Sequence, residues 1–379
     1  MPALPVDDLS CEDPSSVLCG GRDGFVFDGP AFGGEVPLRG VGPELILEGS
    51  WDSWAPLEEA WECGRAGARG EGGLAGWFDY EGNYRFGVFP SWSRGPVRYP
   101  ATETRPPARF RAGLTENEWV GLVRRAHEYI AAGDIYQVNL THTLSAEWNI
   151  APGAFYRRFR GEEMSPCAAY LALGDTVVLS ASPETFLRLE GRRITTRPIK
   201  GTRPRGADRR ADAAAARELL DSPKERAELI MITDLLRNDL GQVCQYGTVQ
   251  VPSLCALETF AHVHHLVSTV EGHLRPGTSP FAAVRACYPG GSITGAPKKR
   301  AREIITELER APRGIYTGAL GFVDWSGRAV FSIAIRTLVL RGGRATYGVG
   351  AGIVADSDPH REYAETWQKA AGLLAALGS

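Results

Sequence analysis

Ala329-Val330-Phe331-Ser332-Ile333-Ala334-Ile335-Arg336-Thr337-Leu338-Val339-Leu340 is followed by Gly342-Gly343 and then by a second run, Ala345–Ala355. Two extended runs flanking a glycine pair read as a β-hairpin, because glycine takes the positive backbone angles a tight turn needs. The first run is rich in β-branched and aromatic residues, which favours strand over helix. One residue does not fit. Arg336 interrupts an almost wholly apolar strand, and a buried guanidinium needs an anion, best a bidentate carboxylate. In the second run Gly348, Gly350 and Gly352 strip one face of side chains, which marks close approach of a ligand or of another backbone.

Outward from this hairpin, a final helix is expected from Asp358-Pro359, carrying Tyr363, Trp367, Ala371 and Leu374 inward. Upstream, Thr115 and Glu118 form a capping box, and Trp119, Leu122, Val123, Ala126 and Ile130 recur at helical spacing until Gly133. Ile135–Leu144 then reads as a strand, and residues 150–290 alternate helices and strands irregularly. Residues 1–110 are rich in Gly, Pro and Trp, with short strand-like runs at Glu44–Leu47 and Gly76–Tyr80 and a connector at Pro90–Arg109. Hairpins outnumber regular βαβ units, so the predicted class is α+β, not a doubly wound sheet. The expected organisation is an N-terminal β-rich region, 1–110, packing on a catalytic region, 111–379, as one intertwined unit.

Composition narrows the function. With 379 residues, 43% apolar and 23% charged, the chain is globular with ample material for a core. A net charge of −3 gives no electrostatic footprint for nucleic acid. No run of about 18 apolar residues predicts a membrane helix. The acidic, Pro-rich N-terminus lacks the order of a signal peptide, which points to the cytoplasm. Seven cysteines, an odd number without C-x-x-C spacing, indicate neither a disulfide framework nor zinc.

The chemistry concentrates in a few places. Lys200 lies in Arg197-Pro198-Ile199-Lys200-Gly201-Thr202-Arg203-Pro204-Arg205, read as a strand end turning into a loop among arginines. Like-charge neighbours would disfavour its ammonium form, and only the free amine attacks carbon, so it is a candidate nucleophile; a solvated loop lysine is the alternative. Glu225 with Glu228, after Ser222-Pro223, and Glu362 with Glu365 stand at i, i+3 spacing near helix starts, where carboxylates also serve as caps. If the pairs converge, oxygen-only ligands suit Mg²⁺ carrying an anionic substrate. Glu184, after Ser182-Pro183, could be a general acid if its pKa is raised. Tyr288-Pro289-Gly290-Gly291-Ser292-Ile293-Thr294-Gly295-Ala296-Pro297-Lys298 is a Gly-rich turn feeding a helix, an anion cradle or a tight connection. His262, His264 and His265 do not make a zinc site, because strand alternation splits them between faces.

Taken in order, these stretches resemble the chorismate-utilising enzymes: the anthranilate, aminodeoxychorismate, isochorismate and salicylate synthases. The resemblance runs over about 115–375. It is carried by Gly133–Leu140, Ser182-Pro183-Glu184, Pro198–Arg203, Asp234–Leu240, His265–Ser268, Pro289–Lys298, Gly348–Val354 and Glu362–Thr366. It implies a large two-sheet β-sandwich core flanked by helices. It also implies Mg²⁺ on Glu228 and Glu365, supported by Glu225 and Glu362. Arg336, Tyr347, Thr294 and the backbone at Gly350 and Gly352 would bind substrate, with His265 and Lys298 lining the site. Anthranilate synthases carry alanine where Lys200 stands; isochorismate and salicylate synthases have the lysine but lack the Ser292–Lys298 pattern. Lysine with that pattern resembles the component I group of aminodeoxychorismate synthases. The implied reaction joins chorismate and ammonia as 4-amino-4-deoxychorismate, on the route to 4-aminobenzoate and folate. Lys200 would attack C2 while Glu184 protonates the departing C4 hydroxyl. No glutaminase triad is recognisable in the chain, so a separate glutamine amidotransferase is the expected ammonia source.

Overall fold

The computed structural model describes residues 14–378 apart from 20, 35, 68–69, 102–108, 162–164 and 261–262. Among the described residues, two antiparallel sheets of ten strands each organise the fold. In spatial order the first holds Gly295–Ala296, Gln137–Glu147, Arg344–Ile353, Thr337–Arg341, Thr176–Ser182, Cys167–Leu173, Gly24–Phe27, Leu38–Val41 and Ser93–Arg94. The second holds Ile199–Pro204, Val263–His273, Arg193–Thr196, Thr185–Glu190, Ala329–Ile333, Ala319–Asp324, Gly73–Phe78, Tyr84–Phe89 and Leu45–Gly49. Arg111–Ala112 pairs with Gln137–Glu147, and Gln250–Thr259 with Val263–His273. The α+β sandwich flanked by helices is thus the fold. Strands from residues 1–110 are hydrogen-bonded members of both sheets.

Apolar layers hold the sheets together. Phe25, Phe27 and Leu171 of the first sheet meet Trp77, Phe322 and Val330 of the second in one buried cluster. Phe27 and Phe322 approach to 5.7 Å between ring centroids. The opposite face of the second sheet, through Phe78, Phe86 and Phe331, packs on Trp54 and on Leu57, Phe281 and Ile232 from the helices Ala55–Gly67, Pro280–Cys287 and Pro223–Gly241. The opposite face of the first sheet buries Leu144, Leu179 and Leu338 under Phe155 and Leu373 of the helices Pro152–Phe159 and Ala371–Leu377. Central strands covered on both faces explain uninterrupted apolar runs such as Cys167–Leu173, every residue of which is buried.

Several expected elements form as the sequence indicates. The helix Glu116–Ala131 starts at the Thr115–Glu118 capping box, with both reciprocal bonds made. The Thr337–Arg341 and Arg344–Ile353 hairpin turns at Gly342 and Gly343, whose φ values of 55° and 74° are those glycine supplies. Ala329–Leu340, however, is not one strand. It breaks at residues 334–336: the first half belongs to the second sheet and the second half to the first. The terminal helix also divides, into Pro359–Lys369 and Ala371–Leu377. The break at Ala370 resets the helical phase, so Leu373 and Leu377 are buried and Ala371 is exposed. Cys63, Cys167, Cys244, Cys255 and Cys287 are free thiols. No helix among the described residues is long and apolar enough to cross a membrane.

Candidate active site

The chain passes between the sheets twice at adjacent points. Thr176–Ser182 lies in the first sheet and Thr185–Glu190 in the second, joined through Pro183-Glu184; Ala329–Ile333 and Thr337–Arg341 return the other way through residues 334–336. The crossings are tied together. Ser182 Oγ donates to the Ile333 carbonyl at 2.7 Å, the Ile333 amide donates to the Glu184 carbonyl at 3.1 Å, and the Ala181 amide to the Arg336 carbonyl at 3.0 Å. Arg336 adopts φ 51°, a left-handed angle that costs energy in a non-glycine residue. Each crossing therefore delivers one of the residues singled out in the sequence, Glu184 and Arg336.

Glu184 is 7% exposed. Burial pushes its carboxyl up to about 7, against the opposing pull of a Ser292 hydrogen bond and the Lys200 charge. A carboxyl that titrates near neutrality can both give and take a proton. Lys200 lies within the strand Ile199–Pro204, not at a strand end leading to a loop. It sits at a bulge, where Lys200 pairs with Leu266 and Thr202 with His265. Gly201 forms the bulge at φ 74°, and a Cβ there would meet Leu219 at 2.8 Å and Glu225 at 3.1 Å.

The arginines near Lys200 in sequence do not supply its charge environment. Arg197 pairs with Glu258, Arg203 with Glu218 and Glu225, and Arg205 with Asp212. The charge of Lys200 instead acts on Glu184, Glu228, Glu365 and Lys369. Its surroundings are three carboxylates and the Lys369 ammonium, not the flanking arginines.

The two glutamate pairs lie within reach of each other's charge, Glu362 of one acting on Glu228 of the other. Glu228 is raised by burial and by Glu225 and Glu362, although Lys200 and Lys224 oppose. Glu362 is raised by burial and by Glu365, opposed by Ser357, whose hydroxyl donates at 2.7 Å, and by Lys224. Glu365 is lowered: burial opposes, but Lys369 at 2.8 Å, Lys200 and Lys224 outweigh it. No three acidic, His or Cys side chains among the described residues are grouped so as to hold a metal ion as they stand. The donor chemistry nonetheless fits a hard divalent cation: four carboxylates supply oxygen-only ligands, and the Lys369 ammonium stands on one of them.

The other residues singled out divide into two groups. Near the cleft, Arg336 Nη1 donates to the Lys369 carbonyl at 2.7 Å. Tyr347, 1% exposed, donates to the same carbonyl at 3.4 Å. The Gly350 carbonyl accepts from Lys369 Nζ at 2.8 Å. His265 contacts Thr202 Oγ1 at 2.9 Å, and its imidazole is held low, by burial first and by Arg336. Away from the cleft, Lys298 is turned onto Asp239 and the Cys287 carbonyl, on the wall of a separate basin of about 910 Å³ with Trp51, Arg285 and Arg302. Thr294 is fully buried, its hydroxyl directed at the Gly290 and Gly291 carbonyls, so it shapes the Gly-rich turn from within.

The glycine stripe answers to packing. A Cβ at Gly348 would enter the Tyr316 ring at 2.0 Å, one at Gly350 the Leu140 carbonyl at 2.4 Å, and one at Gly352 the Gln137 amide at 2.4 Å. His264 is buried between Asp212 and Thr259, and His262 lies outside the described residues. Sequence reasoning missed Lys369, Lys224 and the pairing of Ser292 with Glu184. Lys369 follows Glu365 by four residues, a signal that reads equally well as an ordinary helix pair.

A buried carboxyl pushed up to about 7, acted on by a lysine, is equipped for acid–base chemistry on this two-sheet α+β scaffold. The chain belongs to the chorismate binding enzyme family, whose sequence profile matches residues 90–375. It is 47% identical over 285 residues to the anthranilate synthase component 1 of Thermus thermophilus, covering 75% of this chain and 62% of that protein. It is 49% identical over 260 residues to the aminodeoxychorismate synthase of Streptomyces griseus, covering 68% of this chain and 36% of that protein. The anthranilate synthase component I of Streptococcus pneumoniae superimposes with a TM-score of 0.75 at 28% identity, covering 93% and 90% of the two chains. The matched stretch thus spans less than two thirds of either curated relative.

Proposed function

We propose that this chain converts chorismate and ammonia to 4-amino-4-deoxychorismate. The observation that carries this reading is the setting of Lys200, whose charge acts on the buried acid Glu184 and on Glu228 and Glu365. Anthranilate synthases, with alanine at the matching position, have no amine to place there. In the proposed chemistry the Lys200 amine bonds to ring C2. The ring double bonds shift, and the C4–O bond breaks as Glu184 donates its proton, releasing water. Ammonia then bonds to C4, the C2–N bond to Lys200 breaks, and the Glu184 carboxylate recovers a proton from the incoming nitrogen. Near-neutral titration suits Glu184 to both transfers.

Glu228 and Glu365, with Glu225 and Glu362 beside them, would hold Mg²⁺, which when bound neutralises and orients a substrate carboxylate. Arg336 would offer a guanidinium to a second carboxylate, its backbone fixed by the sheet crossing. A separate glutamine amidotransferase would supply the ammonia.

The test incubates the full chain with chorismate, Mg²⁺ and an ammonium salt, with products identified by mass spectrometry. The expected main product is 4-amino-4-deoxychorismate, lost in Lys200→Ala. Salicylate or isochorismate as the main product overturns the reading. Anthranilate would favour the second reading, anthranilate synthase component I, for which the 47% identity to the Thermus thermophilus protein speaks.

A further inference from the structure

We propose that Lys369 is a built-in stand-in for the divalent cation: its ammonium occupies Glu365 until a cation takes that carboxylate, and is then released to the substrate side of the cleft. This rests on the proposed reading of the glutamate set as the cation site. Lys369 Nζ lies 2.8 Å from Glu365 Oε1 and donates to the Gly350 carbonyl at 2.8 Å. Both side chains open on the cleft, 33% and 49% exposed, so water and ions reach the pair.

The main chain at Lys369 is held independently of its side chain. Its carbonyl accepts from Arg336 at 2.7 Å and from Tyr347 at 3.4 Å. The ammonium can therefore leave by side-chain rotation alone, while the backbone that orients Arg336 stays in place. Once a dication sits on Glu365, Coulomb repulsion favours that departure. The released ammonium would meet an anion already flanked by Arg336 and Lys200, whose charges act on Lys369. Cation and substrate carboxylate would then bind in mutual support, each removing the partner the other needs removed. An ordinary Glu–Lys helix pair at i, i+4 only steadies its helix and predicts no such coupling.

The experiment measures Mn²⁺ binding to the full chain by electron paramagnetic resonance, without and with chorismate, for wild type, Lys369→Gln and Glu365→Gln. Glutamine keeps a donor for Gly350 and removes the charge. Without chorismate, Lys369→Gln is expected to bind Mn²⁺ about tenfold more tightly than wild type, because a competing cation is gone. Chorismate should tighten Mn²⁺ binding in wild type and do so far less in Lys369→Gln. Unchanged or weaker Mn²⁺ affinity in Lys369→Gln, with its unfolding transition intact, overturns the exchange while leaving the cation site standing. Undiminished Mn²⁺ binding in Glu365→Gln overturns both the exchange and the assignment of the cation to this cluster. Neither outcome depends on which product the enzyme forms.

Discussion

Ser182 donates its hydroxyl to the carbonyl of Ile333 at 2.7 Å, joining two adjacent points at which the chain changes sheets. The same oxygen accepts from the Glu184 amide at 3.2 Å, so one buried hydroxyl fixes the backbone on which the candidate acid is mounted. Ser182→Ala leaves a buried carbonyl and a buried amide without this partner. The expected cost is about 1–2 kcal/mol: the Glu184 amide is left without this acceptor, whereas the Ile333 carbonyl keeps the Ile335 amide at 2.9 Å. Urea unfolding should show a lower midpoint with an unchanged slope, together with reduced turnover. A midpoint equal to wild type would mean that the crossings are held by their backbone bonds alone.

Local signals made much of this architecture legible. The Thr115 capping box and the Gly342-Gly343 hairpin rest on contacts within a few residues, and both form as read. The sheet change at residues 334–336 was not legible, because an apolar run looks the same whether its two halves face one sheet or two. Arg336 was the only mark on it, and it reported the break as well as a binding group. Charge environment was the least legible property. The arginines adjacent to Lys200 in sequence are neutralised by Glu258, Glu218 and Asp212, while the groups its charge acts on come from three distant segments. Flanking residues on a strand point to opposite faces, so proximity in sequence says little about whose field a side chain feels.

Gly201 sets where Lys200 points. Its φ of 74° is left-handed, and an added Cβ would press on Leu219 at 2.8 Å and Glu225 at 3.1 Å. Gly201→Ala should cost about 1–2 kcal/mol in backbone strain. The larger effect falls on catalysis, because flattening the bulge moves Lys200 from the cleft. A loss of kcat/KM of at least about tenfold is expected, the scale on which a small misplacement of a reacting group acts. Retention of activity alongside lowered stability would separate the bulge from the chemistry.

Glu184 predicts two pH dependences. Its carboxyl is pushed up to about 7 in the folded protein, by burial above all, from an ordinary value of 4.5. The folded state therefore binds more protons than the unfolded chain between those values, and stability from this group, at most about 3 kcal/mol, is lost as pH rises through that window. Turnover that needs the protonated acid should likewise fall above about pH 7. Ser292 opposes the rise, so Ser292→Ala should move the descending limb of the pH profile to higher pH. Glu184→Gln should lower kcat by about 10²–10⁴ and abolish that limb. A limb unchanged in Ser292→Ala would assign it to another group.

Lys298 tests whether a residue near the Gly-rich turn serves substrate or scaffold. Its ammonium pairs with Asp239, a residue 3% exposed, and the Asp239 carboxyl is still raised to about 6 because burial outweighs the lysine. Removing one partner of a buried pair leaves an uncompensated charge, at a cost of about 3–5 kcal/mol. Lys298→Met should therefore destabilise the fold, while Asp239→Asn with Lys298→Met should recover most of the loss. The penalty should also depend on pH. Without the lysine the Asp239 carboxyl rises further, so at pH 5 it is neutral when folded and the variant approaches wild type, whereas at pH 8 burying the ionised group carries the full cost. Thermal melts of the single and double variants at both pH values measure this. The double variant should also keep a KM for chorismate near wild type, since Lys298 faces the Trp51 basin. A double variant that is stable but many-fold raised in KM would return Lys298 to the substrate.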